Sequence, residues 1–480
     1  MHLSERLVTA AYLCASATAF IPYTIELDTS VDISTRDSLS RRFLPVPKPG
    51  DALTDDSASS ASDESLSLNI KRVPVRRDND FKIVVAETPS WSNTAALDQD
   101  GSDISYISVV NIGSDEKSMY MLLDTGGSDT WVFGTNCTST PCTMHNTFGS
   151  DDSSTLEMTS EEWSVGYGTG SVSGLLGKDK LTIANVTVQM TFGLASNASD
   201  NFESYPMDGI LGLGRTNDSS YNNPTFMDAV AETNVFKSNI VGFALSRSPA
   251  KDGTVSFGTT DKDKYTGDIT YTDTVGSDSY WRIPVDDVYV SGTSCDFSNK
   301  SAIIDTGTSY AMLPSSDSKT LHSLIPDATS SGNYHIIPCN TTAKLQVQFS
   351  GVNYTISPKD YVGATSGSGC VSNIISYDLF GDDIWLLGDT FLKNVYAVFD
   401  YDELRVGFAE RSSNSSSTSN STSSGTSSTS GSTTTGSSTT TTSSASSSSS
   451  SEAESGSGMT MPAPQYFFSA LAIASFMLWL

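Results

Sequence analysis

The chain carries one short motif twice, and this repeat constrains its fold more than any other feature of the sequence. Residues 121–128 read Met-Leu-Leu-Asp-Thr-Gly-Gly-Ser, and residues 302–309, 181 positions later, read Ala-Ile-Ile-Asp-Thr-Gly-Thr-Ser. In each copy a short apolar run leads into Asp-Thr-Gly, a pattern that predicts a buried strand ending in a tight turn. Two equivalent turns, each holding a carboxylate, indicate a fold with an approximate internal two-fold.

The aspartates of the two copies, Asp124 and Asp305, are candidate catalytic residues. Two ionised carboxylates about 3 Å apart would repel each other by about 5 kcal/mol at an effective dielectric near 20, so a close pair should hold one shared proton. The ionised member can accept a proton from a trapped water while the protonated member donates to a carbonyl oxygen. Such a pair can hydrolyse an amide bond without a covalent enzyme adduct.

The first 77 residues predict a signal peptide and a propeptide. An apolar run at 7–15 and the small residues at 17–19 are typical of a secretory signal, assigned to 1–19, with a buried helix as the alternative. Residues 20–77 lack a sustained hydrophobic period and contain paired basic residues. They predict a propeptide cleaved after Arg77 by a dibasic-specific processing protease, and a disordered basic linker is the alternative.

The compact part of the chain has a mostly β pattern with few helices. Residues 78–101 form an extension of the mature chain, and from 102 to 411 short apolar or alternating runs are separated by Gly, Asn, Asp and Ser turns. We expect two lobes, 102–272 and 273–411, with a cleft between them. The strand candidates include 104–112, 119–123, 181–190, 344–349 and 395–399, and the helix candidates are 225–232 and 316–324.

Beyond residue 411 the sequence predicts a stalk and an anchor signal. Residues 412–457 are rich in Ser and Thr, which is typical of an extended, O-glycosylated stalk. The apolar tail that ends residues 458–480 would form a helix of about 22 Å, short of the roughly 30 Å hydrocarbon core. These features predict a GPI-anchor signal removed from the mature protein, with Ser455 or Gly456 as the attachment site. A retained membrane helix is the alternative.

The cysteines and the glycosylation motifs are compatible with a secreted protein. Cys137 with Cys142 would close a small loop and Cys339 with Cys370 a larger one, which leaves Cys295 free beyond the signal. Several Asn-x-Ser/Thr acceptor sites could be glycosylated surface loops. They are Asn136, Asn185, Asn197, Asn217, Asn299, Asn340, Asn353, Asn414 and Asn420.

The charge balance and the missing motifs narrow the function further. The formal net charge is −28, of which −27 lies beyond residue 77, where 18 Lys and Arg face 45 Asp and Glu. This argues against nucleic acid as a partner and is compatible with work in acid. The chain has no His-Glu-x-x-His motif and no Gly-x-Ser-x-Gly elbow, so we expect no metal and no cofactor. We also expect a monomer.

Several further motifs stand in an order that resembles the pepsin-like aspartic proteases, and more narrowly their GPI-anchored fungal members of the yapsin and CtsD type. These motifs are Trp131, the Gly-rich stretch 165–171, residues 208–214 and residues 385–389. The resemblance spans about 102–410. It implies a mostly β, bilobal, pepsin-like double β-barrel fold with a catalytic cleft between two pseudo-two-fold-related lobes, and it implies that Asp124 and Asp305 form the dyad.

The resemblance also implies a set of substrate-binding residues. They are Tyr167, Gly168 and Thr169 of a flap hairpin, Gly126, Gly307 and Thr308 beside the aspartates, and Trp131. Tyr167 is expected to close over the substrate and exclude bulk water. Trp131 is expected either beneath the flap, where its N–H would orient Tyr167, or simply in the core. An ordinary hairpin turn is the alternative for the Gly-rich stretch, and no helical pattern follows it that would favour phosphate binding.

Two positions depart from the family pattern. Members usually carry Ser after the first Asp-Thr-Gly, and its hydroxyl bonds that aspartate; here the residue is Gly127. We therefore expect a raised pKa for the dyad or reduced turnover at the lowest pH. In the flap, many fungal relatives have Asp and accept Lys beside the scissile bond, whereas this chain has Thr169. This favours cleavage between apolar or aromatic residues, with a yapsin-like preference for basic residues as the alternative.

The combined prediction is a secreted zymogen that becomes an aspartic endopeptidase acting on proteins or peptides in acid. Its expected location is the cell surface, with a GPI anchor in the plasma membrane or transfer to the cell wall. One alternative is a catalytically dead binding module on the same fold. Another is a wall or adhesion component displayed on the stalk, which would leave the repeated Asp-Thr-Gly without a purpose.

Overall fold

The structure is a computed structural model that describes residues 81, 83–168, 170–215, 223–276, 280–378 and 380–412. Several predictions lie outside these residues: the signal, the propeptide, Thr169, the stalk beyond residue 412, and the attachment candidates Ser455 and Gly456. In the part of the chain that is described, no helix is long and apolar enough to cross a membrane.

Strands dominate both halves of the chain. In the N-terminal half they are β1 (Thr94–Ala96), β2 (Asp98–Gln99), β3 (Tyr106–Ile112), β4 (Lys117–Asp124), β5 (Trp131–Phe133), β6 (Glu157–Tyr167), β7 (Gly170–Ile183), β8 (Val186–Ala198), β9 (Gly209–Gly212), β10 (Ile240–Ala244), β11 (Thr254–Phe257) and β12 (Tyr265–Asp273). In the C-terminal half they are β13 (Arg282–Val285), β14 (Asp287–Val290), β15 (Thr293–Ser294), β16 (Lys300–Ile304), β17 (Ala311–Leu313), β18 (Thr329–Ser331), β19 (Tyr334–Ile337), β20 (Leu345–Phe349), β21 (Val352–Ile356), β22 (Val362–Ser366), β23 (Gly369–Ser372), β24 (Ile374–Ser376), β25 (Ile384–Leu387), β26 (Val395–Asp400) and β27 (Arg405–Arg411).

The helices are few and short. They are α1 (Thr140–Met144), α2 (Phe226–Thr233), α3 (Ser315–Ser323), α4 (Pro358–Tyr361) and α5 (Asp389–Leu392), with 3-10 turns at Asp200–Ser204 and Lys262–Lys264. The two predicted helices correspond to α2 and α3. The first begins where the sequence places it because Thr225 and Asp228 form a reciprocal capping box.

The strands form large sheets around each Asp-Thr-Gly copy. An eight-stranded sheet, β2-β3-β4-β9-β5-β8-β7-β6, carries the first copy, and a five-stranded sheet, β13-β16-β25-β17-β24, carries the second. A six-stranded sheet, β1-β11-β10-β26-β27-β12, joins strands from both halves. Two four-stranded sheets, β15-β14-β20-β21 and β18-β19-β23-β22, belong to the C-terminal half. The predicted mostly β class is confirmed.

The two halves repeat one strand arrangement. In the first, β4 runs parallel to β9, which is antiparallel to β5, which is parallel to β8. In the second, β16 runs parallel to β25, which is antiparallel to β17, which is parallel to β24. The internal repeat seen in the sequence is therefore a repeat of architecture.

The alternation of side chains between the two faces of β4 and β16 determines the direction in which the two aspartates point. In β4, Met121 and Leu123 join the main core while Leu122 joins a second cluster with Trp131. In β16, Ala302 and Ile304 join the main core while Ile303 joins a third cluster. Because side chains alternate between the two faces of a strand, Asp124 follows Leu122 and Asp305 follows Ile303 away from the main core.

One strand prediction is wrong in its extent. The run 181–190 is divided between β7 and β8 by a two-residue turn at Ala184 and Asn185, whose φ angles are 51° and 65°. Both residues adopt the left-handed conformation that such hairpin turns need, and no glycine marks the turn in the sequence. The extension 78–101 contributes β1 and β2 to the sheets, and the expected lobe boundary falls at the end of β12.

The cysteines pair as predicted. The structure has disulfides between Cys137 and Cys142 and between Cys339 and Cys370, and Cys295 is free and buried. The six glycosylation motifs within the described residues all present exposed asparagines: Asn136, Asn185, Asn197, Asn299, Asn340 and Asn353.

Candidate active site

Asp124 ends β4, Asp305 follows β16, and the fold brings the two carboxyl groups against each other. Both are buried, with 1% and 0% exposure. A Cβ on Gly126 would lie 2.5 Å from Cγ of Asp305, and a Cβ on Gly307 would lie 2.4 Å from Oδ1 of Asp124. Each carboxyl group therefore occupies the space that any side chain on the opposite glycine would fill, which explains why Asp-Thr-Gly ends in glycine twice.

The middle residues of the two motifs tie the loops together. The amide of Thr125 donates to Oγ1 of Thr306 at 3.1 Å, and the amide of Thr306 donates to Oγ1 of Thr125 at 3.0 Å. The Thr125 hydroxyl donates to the Ile304 carbonyl at 3.0 Å, and the Thr306 hydroxyl donates to the Leu123 carbonyl at 2.5 Å. No role was predicted for these threonines, although their repetition between Asp and Gly was a usable signal.

Two apolar Gly-containing segments support the loops from behind. The Leu213 amide donates to the Asp124 carbonyl at 2.7 Å, and the Asp305 amide donates to the Leu387 carbonyl at 3.1 Å. A Cβ on Gly212 would lie 2.4 Å from the Ser128 carbonyl carbon. The segments singled out at 208–214 and 385–389 therefore fix the position of both aspartates.

The Gly-rich stretch forms a hairpin of β6 and β7, with Tyr167 opposite Gly170. The indole N–H of Trp131 donates to the Tyr167 hydroxyl at 2.6 Å, and Trp131 is fully buried. Trp131 therefore lies in the core and also bonds the hairpin, and its role in orienting Tyr167 over a substrate stays a prediction. Gly168 lies beside Tyr167 in this hairpin, and Thr169 is outside the described residues.

A sequence model of the family described as "Eukaryotic aspartyl protease" matches residues 105–411, which contain both loops, the flap and both supporting segments. The chain belongs to this family.

Curated relatives agree with that assignment. The protease is 52% identical to the aspartic-type endopeptidase ctsD of Aspergillus fumigatus over 86% of this chain and 88% of that one. It is 42% identical to the probable aspartic-type endopeptidase CTSD of Trichophyton verrucosum over 82% and 77%. It is also 32% identical to pepsin A of Bos taurus over 64% and 84%.

Three predictions are thereby confirmed: the pepsin-like family, the pepsin-like fold and the enzyme class. The chain is an aspartic-type endopeptidase that acts on protein or peptide substrates. The narrower resemblance to GPI-anchored, yapsin-like members stays a prediction, as do the roles of the individual site residues.

The two carboxyl groups of the protease are hydrogen-bonded unequally. Asp305 accepts from the Gly307 amide at 2.7 Å and from the Thr308 hydroxyl at 2.6 Å. Asp124 accepts from the Gly126 amide at 2.8 Å, and its Oδ2 is buried with no hydrogen-bond partner among the described residues. Gly127 stands where the second motif has Thr308, so the first motif offers no side-chain hydroxyl at this position.

Burial and mutual repulsion set the acidity of the pair. Burial raises the pKa of Asp305 well above its usual range, and the neighbouring charge of Asp124 raises it further. Burial also raises the pKa of Asp124, while the hydrogen bond from the Gly126 amide opposes this shift. The dyad therefore keeps one proton in conditions that would ionise two separate aspartates.

Aromatic side chains cluster in both halves of the protease. Beneath the flap hairpin, Phe202 lies edge-on to Tyr167 and Trp131, with ring centroids 6.0 and 5.6 Å away. In the C-terminal half, Tyr280 and Phe380 pack edge-on to each other with ring centroids 5.5 Å apart, and both lie against the cluster of Ile303. These aromatic residues were not predicted because they lie far from the motifs in sequence and have no spacing that marks them.

No candidate metal site accompanies the dyad within the described ranges, where no group of three or more His, Cys, Asp or Glu side chains could hold an ion. The polar atoms in the centre of the site are those of the two Asp-Thr-Gly loops and Thr308.

Proposed function

We propose that Asp124 and Asp305 are the catalytic dyad of this protease and hydrolyse peptide bonds in acid. The observation that carries the proposal is the contact of each carboxyl group with the glycine of the opposite loop. One carboxyl group takes a proton from the attacking water, and the other donates its proton to the scissile carbonyl oxygen. The tetrahedral intermediate then collapses as a proton passes to the leaving amine, and the shared proton is restored.

The flap contributes by covering the reacting groups. Tyr167 lies on the β6–β7 hairpin, and the hydrogen bond from Trp131 holds its hydroxyl. Closure of Tyr167 over a peptide excludes bulk water and so strengthens the electrostatic interactions of the dyad. Gly168 and Thr169 follow Tyr167 in the sequence, and we assign them to the same substrate-covering segment.

Activity of the purified, activated protein on a denatured protein substrate near pH 4 tests this function. We expect cleavage that the transition-state inhibitor pepstatin blocks. A catalytically dead binding module would leave the substrate intact at every pH, and cleavage insensitive to pepstatin would point to chemistry other than that of the dyad.

For specificity, we propose cleavage between apolar or aromatic residues. The partly exposed side chains of Tyr167, Tyr280 and Phe380 support this preference because they offer aromatic surface next to the buried clusters of Trp131 and Ile303. Profiling of a peptide library tests it. A strong preference for Lys or Arg next to the cleaved bond would instead support the yapsin-like alternative.

For maturation, we propose cleavage after Arg77 in the secretory pathway, which would leave Asp78 as the first residue. Phe81 is the first described residue, and the Val84 amide donates to the Gln99 carbonyl at 2.8 Å, so this start retains the whole described fold. We expect Arg76→Ala with Arg77→Ala to accumulate the precursor. N-terminal sequencing that finds the same mature start in this variant would contradict the proposal.

For location, we propose GPI anchoring at the cell surface through Ser455 or Gly456. The support comes from sequence alone: a Ser/Thr-rich tract, a short spacer and a terminal apolar tail. Phosphatidylinositol-specific phospholipase should release the protease from intact cells. Retention under conditions that release a known GPI-anchored protein would favour a membrane helix, and separate extraction of isolated walls would detect wall-linked protein.

A further inference from the structure

His145 lies at the end of α1 with both ring nitrogens facing carbonyl oxygens. Its Nδ1 is 2.7 Å from the Pro141 carbonyl and its Nε2 is 2.6 Å from the Tyr205 carbonyl. A carbonyl oxygen only accepts hydrogen bonds, and a neutral imidazole has only one N–H. Only the doubly protonated ring satisfies both contacts, and their short lengths fit charge-assisted hydrogen bonds. The ring is 1% exposed, so water cannot replace either partner.

The surroundings of His145 suit a buried cation. Asp208 is fully buried and interacts electrostatically with His145. Its carboxylate accepts from the Tyr120 amide, the Asn146 amide and the Asn146 side chain, each at 2.8 Å, and all three are donors that an ionised carboxylate needs. The rings of Phe133 and Phe81 have centroids 4.9 and 5.4 Å from the imidazole, within the range of cation–π attraction.

The other two described histidines, His322 and His335, have different hydrogen-bond partners. His322 Nδ1 faces the Ser318 carbonyl at 2.7 Å, but its Nε2 faces the Ser372 hydroxyl at 2.8 Å. That hydroxyl accepts from the Ile374 amide and has its own proton for the ring, so a neutral His322 is fully bonded. His335 stacks on His322 with ring centroids 3.8 Å apart, and both of its ring nitrogens face serine hydroxyls. The double-carbonyl arrangement therefore distinguishes His145.

We infer that His145 is a positioning residue of the protease, a buried imidazolium that holds the aromatic wall beneath the flap. Its Nε2–H fixes Tyr205, whose amide donates to the Phe202 carbonyl at 3.4 Å and whose ring packs edge-on against Phe202 at 5.8 Å. Phe202 in turn contacts Trp131 and Tyr167. This role rests on one part of the proposed function, namely that substrate binds beneath the flap.

Histidine-selective ¹⁵N labelling of the wild-type protease tests the charge state directly. At pH 4.5 we expect two protected ring N–H signals from His145, assigned by their loss in His145→Gln or by nuclear Overhauser contacts to Phe133. A single N–H signal from this ring would overturn the inference. The spectrum does not depend on catalysis, so it remains decisive even if the proposed dyad is wrong.

Kinetics of His145→Gln test the positioning role. Glutamine cannot donate to both carbonyls from the place of the ring, so we expect KM for a peptide with Phe at the cleaved bond to rise about tenfold, with kcat little changed. A peptide with Ala there should be much less affected. His335→Gln is the matched control, because it removes another buried histidine from the C-terminal half, and it should leave both KM values unchanged. Equal losses for both peptides would contradict the inference.

A milder variant covers the case in which His145→Gln does not fold. Phe81→Ala removes one of the two rings beside the imidazolium and should raise KM for the Phe peptide about threefold. An unchanged KM would contradict the inference, as would a loss confined to kcat. If the proposed function is wrong, the result differs from this, because the wild type and every variant would then lack pepstatin-sensitive cleavage.

Discussion

Asp124 and Asp305 occupy equivalent loops but accept different hydrogen bonds. Asp305 has the Thr308 hydroxyl on Oδ2, while Oδ2 of Asp124 is buried and has no hydrogen-bond partner among the described residues. A hydrogen bond to a carboxylate stabilises its ionised form, so its absence disfavours ionisation. Gly127 stands where the second copy has Thr308, so this position supplies no hydroxyl donor to Asp124.

Gly127→Ser should restore this donor. A serine hydroxyl that reaches Oδ2 would lower the pKa of Asp124, and the acidic limb of the kcat/KM profile should move to lower pH. Gly127→Ala is the control, since it adds the Cβ without the hydroxyl and should leave that limb in place. An unchanged profile for Gly127→Ser would show that the missing hydroxyl does not set the acidity of the dyad.

At the scale of elements, the flap hairpin and β5 act together through one hydrogen bond. Trp131 is the first residue of β5, and its N–H holds the hydroxyl of Tyr167 at 2.6 Å. Phe202 packs against both rings. The resting position of the flap is therefore set by a residue that lies in the fully buried part of the lobe.

Trp131→Phe and Tyr167→Phe each remove one partner of this bond. Each should lower kcat/KM by about tenfold, because the flap loses a defined position over the substrate. The double variant should be little worse than either single variant, since the two changes delete the same interaction. Independent, multiplicative losses would contradict the idea that this bond positions the flap.

Much of this arrangement could be predicted from local sequence. The apolar runs before each Asp-Thr-Gly indicated β4 and β16, and Thr225 with Asp228 marked the start of α2. The turn between β7 and β8 was missed because Ala184 and Asn185 take a conformation that usually needs glycine. Phe202 and His145 were missed because their roles depend on contacts with residues about 60 to 70 positions away, Trp131 for Phe202 and Tyr205 for His145.

In the molecule as a whole, buried carboxyl groups make the stability of the folded protein depend on pH. Burial raises the pKa of Asp305 and Asp389 well above the usual range, and it also raises that of Asp98. An acid with a raised folded pKa keeps its proton while the unfolded chain releases it. Stability should therefore fall as pH rises from about 4, the ordinary carboxyl pKa, toward the folded values.

The stacked histidines His322 and His335 have the opposite effect on the pH dependence of stability over part of this pH range. Burial and the neighbouring His335 lower the pKa of His322 to about 4. A histidine with a lowered folded pKa loses stabilisation as pH falls below its unfolded value of about 6.5. The carboxyl groups with raised pKa are more numerous, so the net trend in Tm should still be downward between pH 4 and pH 7.

Asp389→Asn tests this trend. Asp389 is 1% exposed with Oδ1 unpartnered among the described residues, and the neighbouring Asp305 raises its pKa further. Calorimetry should show that the fall in Tm from pH 4 to pH 7 is about 3 °C smaller in this variant, the shift expected for ~1 kcal/mol. Asp382→Asn, at an exposed position, should keep the wild-type slope. Parallel curves for all three proteins would contradict this account.

If one shared proton on Asp124 and Asp305 drives hydrolysis, as we propose, Asp124→Asn and Asp305→Asn should both fail to cleave peptides. Peptide cleavage at acidic pH by the two variants beside the wild type tests this. Each variant should fold, since asparagine fits the same space. Each should also lose at least about a thousandfold in kcat, because neither can both activate water and donate a proton. Substantial pepstatin-sensitive cleavage by either variant would contradict the account.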